Sequence, residues 1–208
     1  MRRTCLLATL AAALGCSSGP SRVQPPSIDA DDAASAAMEL YDKDGDGAIA
    51  GSELDAASGI KSAMTTIDGD KDGKVTAEEI AARVEAWQAT SFGVMSMQCS
   101  FTMDGKPLDG AAITFDPEPF LGDEILAAVD VTSPGGICQP SIPKDKRPSK
   151  DMPAGFQLGL YRVRVSKKVD GNETIPAKYN TETILGQQIA IDDPAVISQK
   201  VRFELTSN

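Results

Sequence analysis

Residues 42 to 53 read DKDGDGAIAGSE, and residues 68 to 79 read DGDKDGKVTAEE. In both stretches Asp stands at the first, third and fifth positions, Gly at the sixth and Glu at the twelfth. Side-chain oxygens at positions 1, 3, 5 and 12, with a backbone carbonyl at position 7, can surround a calcium ion, and glycine at position 6 permits the sharp turn. The sequence therefore predicts two calcium-binding loops.

The predicted ligands are oxygen atoms only. They are the side chains of Asp42, Asp44, Asp46 and Glu53 with the carbonyl of Ala48 in the first loop, and the side chains of Asp68, Asp70, Asp72 and Glu79 with the carbonyl of Lys74 in the second. Four carboxylates in one loop repel each other unless a hard cation neutralises them. Ca²⁺ is the predicted ion, because Mg²⁺ demands a tighter octahedral geometry. The alternative is a pair of Asp- and Gly-rich turns that bind no ion.

Apolar residues recur at helical spacing on both sides of the pair of loops. They are Ala34, Ala37, Met38 and Tyr41 before the first loop, and Ile80, Val84 and Trp87 after the second. Position 8 of each loop carries a β-former, Ile49 or Val75. Residues 29–90 thus resemble the EF-hand family, in which paired loops join through a short two-stranded contact at this position. The resemblance implies a small helical calcium-binding domain.

The distance between the loops limits the kind of EF-hand pair that this segment resembles. Only residues 54–67 separate them, whereas a calmodulin-like pair has room there for two full helices. Gly59 is predicted to break this connection into two short helices. Short helices make a small groove, so the sequence favours a structural calcium module outside the cytosol, with a Kd of roughly 10⁻⁴ to 10⁻³ M, over a sensor that binds target helices.

The N-terminus has the features of an export signal. Two arginines precede an apolar run over residues 5–14, which is too short to cross a bilayer as a helix of roughly 20 residues. ALGC at residues 13–16 resembles the lipobox of bacterial lipoproteins, although that family usually has Leu where this chain has Ala13. The resemblance implies that residues 1–15 are a lipoprotein signal peptide and that Cys16 is acylated and becomes the mature N-terminus.

Residues 16–28 are predicted to form a polar tether that contains three prolines. The expected location is therefore the cell envelope, with the protein attached to a bacterial membrane through its N-terminal lipid. Ser17 after the cysteine resembles lipoproteins that are sorted to the outer membrane. The alternative is an ordinary secretory signal that is cleaved nearby, or a free cysteine.

Beyond residue 94 the period of the apolar residues changes to two. The first alternating run is Met95, Met97, Cys99, Phe101 and Met103. Further short strands, separated by Gly, Pro and Asp clusters without a long helical pattern, predict an antiparallel β-sandwich over residues 93–208. The predicted fold class is therefore multidomain α + β, with a small helical pair over residues 29–90 followed by the sandwich.

Three runs in this half carry a second resemblance. They are FTMDGKPLDGAAITFDPE at residues 101–118, GLYRVRVSKK from Gly159 and IPAKYN from Ile175. In this order they resemble the carboxypeptidase regulatory-like or transthyretin-like sandwiches of small bacterial envelope lipoproteins. The resemblance implies a fold and an envelope location, and most members of the family have no assigned activity.

Cys99 and Cys138 are the two cysteines of the mature chain besides the acylated one. Export to an oxidising compartment favours a disulfide between them. Cys99 lies on the predicted inward face of its strand, and Cys138 follows the turn residues 134–136. A disulfide and a pair of buried free thiols are the two alternatives.

The composition excludes several function classes. The chain contains no His, which removes Ser/His/Asp and Cys/His nucleophilic sites, most catalytic zinc sites and the commonest general base near neutral pH. The formal net charge is −10, so nucleic acid is not an expected partner. Residues 28–90 alone hold ten Asp and five Glu against four Lys and one Arg, a net charge of −10. The sequence predicts a protein that is not an enzyme.

The leading hypothesis is a calcium-binding envelope lipoprotein with a binding or structural role. One alternative is a carbohydrate-binding or adhesive module, and another is a calcium-dependent accessory subunit of an envelope enzyme. The partner of the sandwich is not identified by any motif. Residues 144–150, KDKRPSK, are interpreted as a solvated loop, with contact to acidic glycans or lipid headgroups as the alternative.

Overall fold

The computed structural model describes residues 23–208, and these residues form both helices and β-sheets. The predicted signal peptide, Cys16 and the first part of the predicted tether lie outside the described residues. Within residues 23–208, no helix combines the length and the apolar character that crossing a membrane requires. The chain is thus of mixed α and β structure, as predicted.

The first half of the described chain is mainly helical. Its helices are α1 (Ala30–Tyr41), α2 (Ser52–Ala56), α3 (Ser58–Ser62), α4 (Met64–Ile67) and α5 (Ala77–Gln88), and its strands are β1 (Ala48–Ile49) and β2 (Val75–Thr76). Asp29 caps α1 by accepting hydrogen bonds from the amides of Asp31 and Asp32 at 3.1 and 3.0 Å. The apolar faces of α1 and α5 pack together, which confirms the helical periodicity on both sides of the loops.

The prediction that Gly59 breaks the connection between the loops is wrong. Three short helices fill this connection, with breaks at Ala57 and Ala63, and Gly59 lies inside α3. A Cβ on Gly59 would stand 2.6 Å from the side chain of Glu118. Glycine is therefore required here for the close approach of another segment and not for a helix end.

The second half consists mainly of short strands. They are β3 (Cys99–Met103), β4 (Lys106–Pro107), β5 (Ala112–Pro117), β6 (Ala128–Val131), β7 (Ile137–Cys138), β8 (Gly159–Ser166), β9 (Lys168–Val169), β10 (Asn172–Glu173), β11 (Gly186–Ile189) and β12 (Val201–Leu205). The short helix α6 (Pro194–Ile197) precedes β12, and 3₁₀ turns cover Pro119–Leu121 and Ala177–Tyr179. Alternate residues of β12 are buried, which confirms the predicted period of two.

These strands form two main sheets. One has the order β11-β8-β5-β6 and is antiparallel throughout, and the other joins β12, β4 and β7 to β3. Phe101 of the second sheet stacks on Phe203 at 4.6 Å, and Phe115 of the first sheet meets Phe203 edge-on at 6.2 Å between ring centroids. Aromatic contacts between the two sheets thus form the centre of the core.

The expectation of purely antiparallel pairing is wrong at one position. Strand β12 runs parallel to β3 over its whole length, from the pair Val201 and Cys99 to the pair Leu205 and Met103. Strand β12 follows β11 by way of α6, and this crossover lets the chain enter the second sheet in the same direction as β3. The second sheet is therefore mixed.

Cys99 and Cys138 lie directly opposite each other on the antiparallel strands β3 and β7. Both are buried thiols whose Sγ atoms are 3.4 Å apart, and the adjacent Cys138 thiol together with burial raises the pKa of Cys99. Opposed residues of an antiparallel pair have Cα atoms roughly 4.5 to 5.5 Å apart, within the range of roughly 4.4 to 6.8 Å that a disulfide spans. This register supports the predicted disulfide.

We expect Cys99 and Cys138 to be joined in protein isolated from an oxidising compartment. The measurement is alkylation of the denatured chain with and without reductant, followed by mass spectrometry. Both cysteines should resist alkylation until reductant is added. Full alkylation of the unreduced chain would show that both residues remain free thiols.

Candidate metal centre

The predicted ligands of the first loop (loop 1, residues 42–53) hold its backbone in a tight turn. Asp42 accepts hydrogen bonds from the amides of Gly45 at 2.7 Å and Gly47 at 3.1 Å, one on each carboxylate oxygen. Asp44 accepts from the amide of Asp46 at 3.1 Å, and Asp46 accepts from the amide two residues later at 2.9 Å. Each carboxylate oxygen has further lone pairs, so these bonds fix the loop without using up its capacity to bind a cation.

Glu53 closes loop 1 from the start of α2. Its Oε1 accepts a hydrogen bond from the amide of Lys43 at 2.7 Å, and its Oε2 accepts from the amide of Ala50 at 3.0 Å. These bonds lower the pKa of Glu53, with the bond from Ala50 having the largest effect. The carboxylate therefore stays ionised to lower pH than a free Glu, which suits a cation ligand.

The second loop (loop 2, residues 68–79) repeats this pattern. Asp68 accepts from the amides of Lys71 at 2.7 Å and Gly73 at 2.9 Å, and Glu79 accepts from the amides of Gly69 at 2.8 Å and Thr76 at 2.9 Å. The bonds accepted by the carboxylates at positions 3 and 5 are also repeated, at 3.1 and 2.8 Å. Six backbone amides thus bond the corresponding carboxylates in both loops.

The backbone conformations of loop 1 and loop 2 also agree with each other. Position 4 has a positive φ in both loops, 73° at Gly45 and 64° at Lys71, and the glycines at position 6 have φ values of 89° and 85°. A positive φ is costly for a residue with a side chain. Lys71 adopts it nevertheless, so loop 2 has the same turn as loop 1 where the sequence does not favour it.

The two loops are joined to each other. Strands β1 and β2 pair antiparallel, with Ile49 opposite Val75, and both side chains are fully buried. Lys74 also donates a hydrogen bond to Asp46 across the pair at 3.2 Å. The amide of Ala48 and then this lysine lower the pKa of Asp46. The two-stranded contact expected from position 8 is therefore present.

The structure brings together most of the predicted carboxylate ligands. In loop 1 oxygens of Asp42, Asp44 and Asp46 lie within 4.8 Å of one another, and in loop 2 the same holds for Asp68, Asp70 and Glu79. Glu53 and Asp72 are outside these two groups, although both bond to the amides of their own loops. The oxygen-only donor set fits a hard divalent cation such as Ca²⁺.

No protein-family model matches this sequence, and no curated protein is similar to it at a significant level. The assignment of the loops therefore depends on their own residues and geometry.

A buried carboxylate attaches loop 1 to the sheets. Glu118, the residue after β5, is fully buried and accepts hydrogen bonds from the hydroxyl of Tyr41 at 2.6 Å and the amide of Gly59 at 2.7 Å. Arg162 of β8 lies 3.8 Å from the same carboxylate. Burial raises the pKa of Glu118, and the hydrogen bonds oppose that rise. Because Tyr41 directly precedes Asp42, this contact fixes the chain at the entrance of loop 1.

Loop 2 is attached to the sheets by a second set of contacts. Arg83 of α5 forms a bidentate pair with Asp192 at 2.7 and 2.8 Å, and its Nε donates to the side chain of Gln188 at 2.9 Å. Thr66 of α4, just before loop 2, donates to the same Gln188 at 3.1 Å. The helix before loop 2 and the helix after it are thus both bonded to the β11 region.

Sequence reasoning missed this interface. No motif in the sequence predicts that Glu118 and Gly186 lie at an interface. In the structure Gly186 is the first residue of β11, and a Cβ added there would overlap the carbonyl of Ser58 in α3. No periodicity or spacing connects residues so distant in the chain. The two glycines were the signal in the sequence that could have indicated this interface, because Gly59 and Gly186 both lie where another segment of the chain approaches closely.

Proposed function

We propose that this protein is a calcium-binding lipoprotein of the bacterial cell envelope, with a binding or structural role and no catalytic one. Residues 29–90 act as an EF-hand pair, and residues 93–208 form a carboxypeptidase regulatory-like sandwich. The observation that carries the proposal is the repetition of six amide-to-carboxylate hydrogen bonds in two loops with the same ligand pattern. Calorimetric calcium titration tests it, with two ions expected per chain.

The contacts with the sheets favour a structural calcium site over a sensor. A sensor pair of this type opens its helices when calcium binds. Opening here would break buried contacts of Tyr41 with Glu118 and of Arg83 with Gln188. A hydrogen bond to a charged group contributes about 1.5 to 3 kcal/mol to stability. Calcium is therefore proposed to stabilise the arrangement of the helices on the sheets without opening them.

We expect the mature protein to begin at Cys16 and to carry lipid on it. The apolar run and the lipobox-like residues 13–16 support this expectation. A single acyl chain binds membranes at only roughly 10⁴ M⁻¹, so stable attachment requires the several chains of a lipoprotein cysteine. Mass spectrometry of the N-terminal peptide from an envelope fraction makes the measurement. Cleavage at a bond other than that between Gly15 and Cys16 would contradict the lipid anchor.

A further inference from the structure

Strand β12 is an edge strand of the second sheet. The carbonyl of Leu205 accepts a hydrogen bond from the amide of Asp104, the residue after β3, at 2.9 Å. In a strand the two backbone groups of one residue point to one side, and those of the next residue point to the other. The backbone groups of Leu205 and of alternate residues before it therefore face β3, whereas those of Arg202 and Glu204 face away from it.

Two hydrogen bonds at the ends of β12 agree with this alternation. The amide of Lys200 donates to the carbonyl of Ala195 in α6 at 2.9 Å, and the amide of Thr206 donates to the hydroxyl of Tyr179 at 3.2 Å. Both amides lie an even number of positions from Arg202, and both point away from β3. The outward edge of β12 is therefore occupied at each end.

Between these two contacts the edge is open. Arg202 and Glu204 are exposed, and within residues 23–208 no segment on the outer side of β12 bonds to their amides or carbonyls. The edge strand β6 of the first sheet differs, because Val129 exchanges hydrogen bonds with Ser141 at 3.0 and 3.2 Å. Strand β12 thus offers two donors and two acceptors to another strand, which is the usual basis of pairing between sheet edges.

The side chains at this open edge carry opposite charges on one face of the strand. Neither Arg202 nor Glu204 forms an ion pair within the part of the chain that the structure describes. Their neighbours in β3 are Ser100 and Thr102, which are uncharged. A matching pattern of one negative and one positive charge on the added strand would therefore complement this edge.

We propose that β12 pairs antiparallel with β12 of a second copy of this chain, with the two copies of Phe203 opposite each other. In this register Arg202 lies opposite Glu204 of the second copy and exchanges both backbone hydrogen bonds with it. Two-fold symmetry repeats this pair, because Glu204 then lies opposite Arg202 of the second copy. All the open backbone groups are used, and both pairs bring opposite charges together.

Other antiparallel registers are less favourable. A shift by two residues places Arg202 opposite Arg202 of the second copy, or Glu204 opposite Glu204. Like charges directly opposite each other are destabilising. The same shift also brings the open stretch against the amide of Lys200 or Thr206, which is already bonded within its own chain. The charges and the free backbone groups thus select the same register.

The pair is expected to be weak. A contact along one short strand belongs to the class of interfaces below about 1,200 Å². Lys178 donates to the side chain of Thr206 at 3.2 Å, and in the proposed register Thr206 lies opposite Lys200 of the second copy. Two lysines therefore approach each other at each end of the pair. We expect a Kd between about 10 µM and 1 mM.

The test uses charge reversal on the chain 17–208, which contains every described residue and leaves out Cys16, whose thiol can cross-link two copies. Sedimentation equilibrium with calcium present measures the Kd. The variants R202E and E204R should each dimerise at least tenfold more weakly than the unaltered chain, because both pairs then oppose like charges. An equimolar mixture of the two variants should regain the affinity, since each altered position again faces the opposite charge. The double variant R202E/E204R should regain it alone.

The matched control is K146E, which reverses an exposed lysine outside β12 that forms no ion pair within residues 23–208. It should dimerise as the unaltered chain does, and thermal unfolding checks that every variant is folded. A monomeric unaltered chain at a concentration of about 1 mM would overturn the proposal. So would single variants that dimerise as tightly as the control, or a mixture and a double variant that both stay monomeric. None of these outcomes depends on the proposed calcium sites or lipid anchor.

Discussion

Glu53→Gln and Glu79→Gln should each remove one of two calcium sites and leave the other measurable. Gln keeps the size of the side chain, but its single oxygen can replace only one of the two Glu oxygens that accept loop amides, and it lacks the charge that clamps the ion at position 12. We expect the affinity of the altered loop to fall at least tenfold, which corresponds to about 1.4 kcal/mol. Titration calorimetry on the chain 16–208 measures both the stoichiometry and the affinity.

The matched control is Glu85→Gln, which removes the same charge from an exposed position of α5 outside both loops. It should bind two ions with unchanged affinity. If the unaltered chain bound no calcium at millimolar concentration, or if both loop variants bound as tightly as the control, the loops would not be calcium sites.

Gly186→Ala should destabilise the whole protein and reduce the amount by which calcium raises the unfolding temperature of the sheets. A Cβ at this position would overlap the backbone carbonyl of Ser58, which cannot move without shifting α3. Overpacking of this kind costs about 1 to 3 kcal/mol, and in a chain of this size each kcal/mol lowers Tm by roughly 2 to 4 °C. Thermal unfolding with and without calcium measures the change.

The control for this prediction is Gly135→Ala, because a Cβ there would make only an ordinary contact with Ile137 at 3.8 Å. A surface change of this kind shifts stability by about 0.5 kcal/mol or less. The unaltered chain should unfold in one transition, and calcium should raise its temperature. The reason is that the helices and the sheets share buried contacts through Glu118 and Gln188. Equal stability of the two glycine variants would show that the packing of α3 on β11 is not tight.

The sequence alone determined the elements that are specified by residues close together in the chain. Each calcium-loop pattern places its proposed ligands within twelve residues, and the hydrogen bonds that shape a loop join residues no more than ten positions apart. The helices beside the loops follow the same logic, because a buried face is visible as apolar residues at helical spacing. Strands such as β12 could be predicted from apolar residues at every second position of the sequence, and these are the residues that are buried.

Only the tertiary structure decided how these elements meet. The burial of Glu118 depends on Tyr41 and Gly59, which lie 77 and 59 positions away, and the parallel pairing of β12 with β3 joins residues about a hundred positions apart. Residues 23–27 line a cavity together with Pro148, Ser149 and Met152, which are about as far away in the sequence. Such contacts arise from packing of whole elements on one another, and local propensity and periodicity carry no information about which surfaces will face each other.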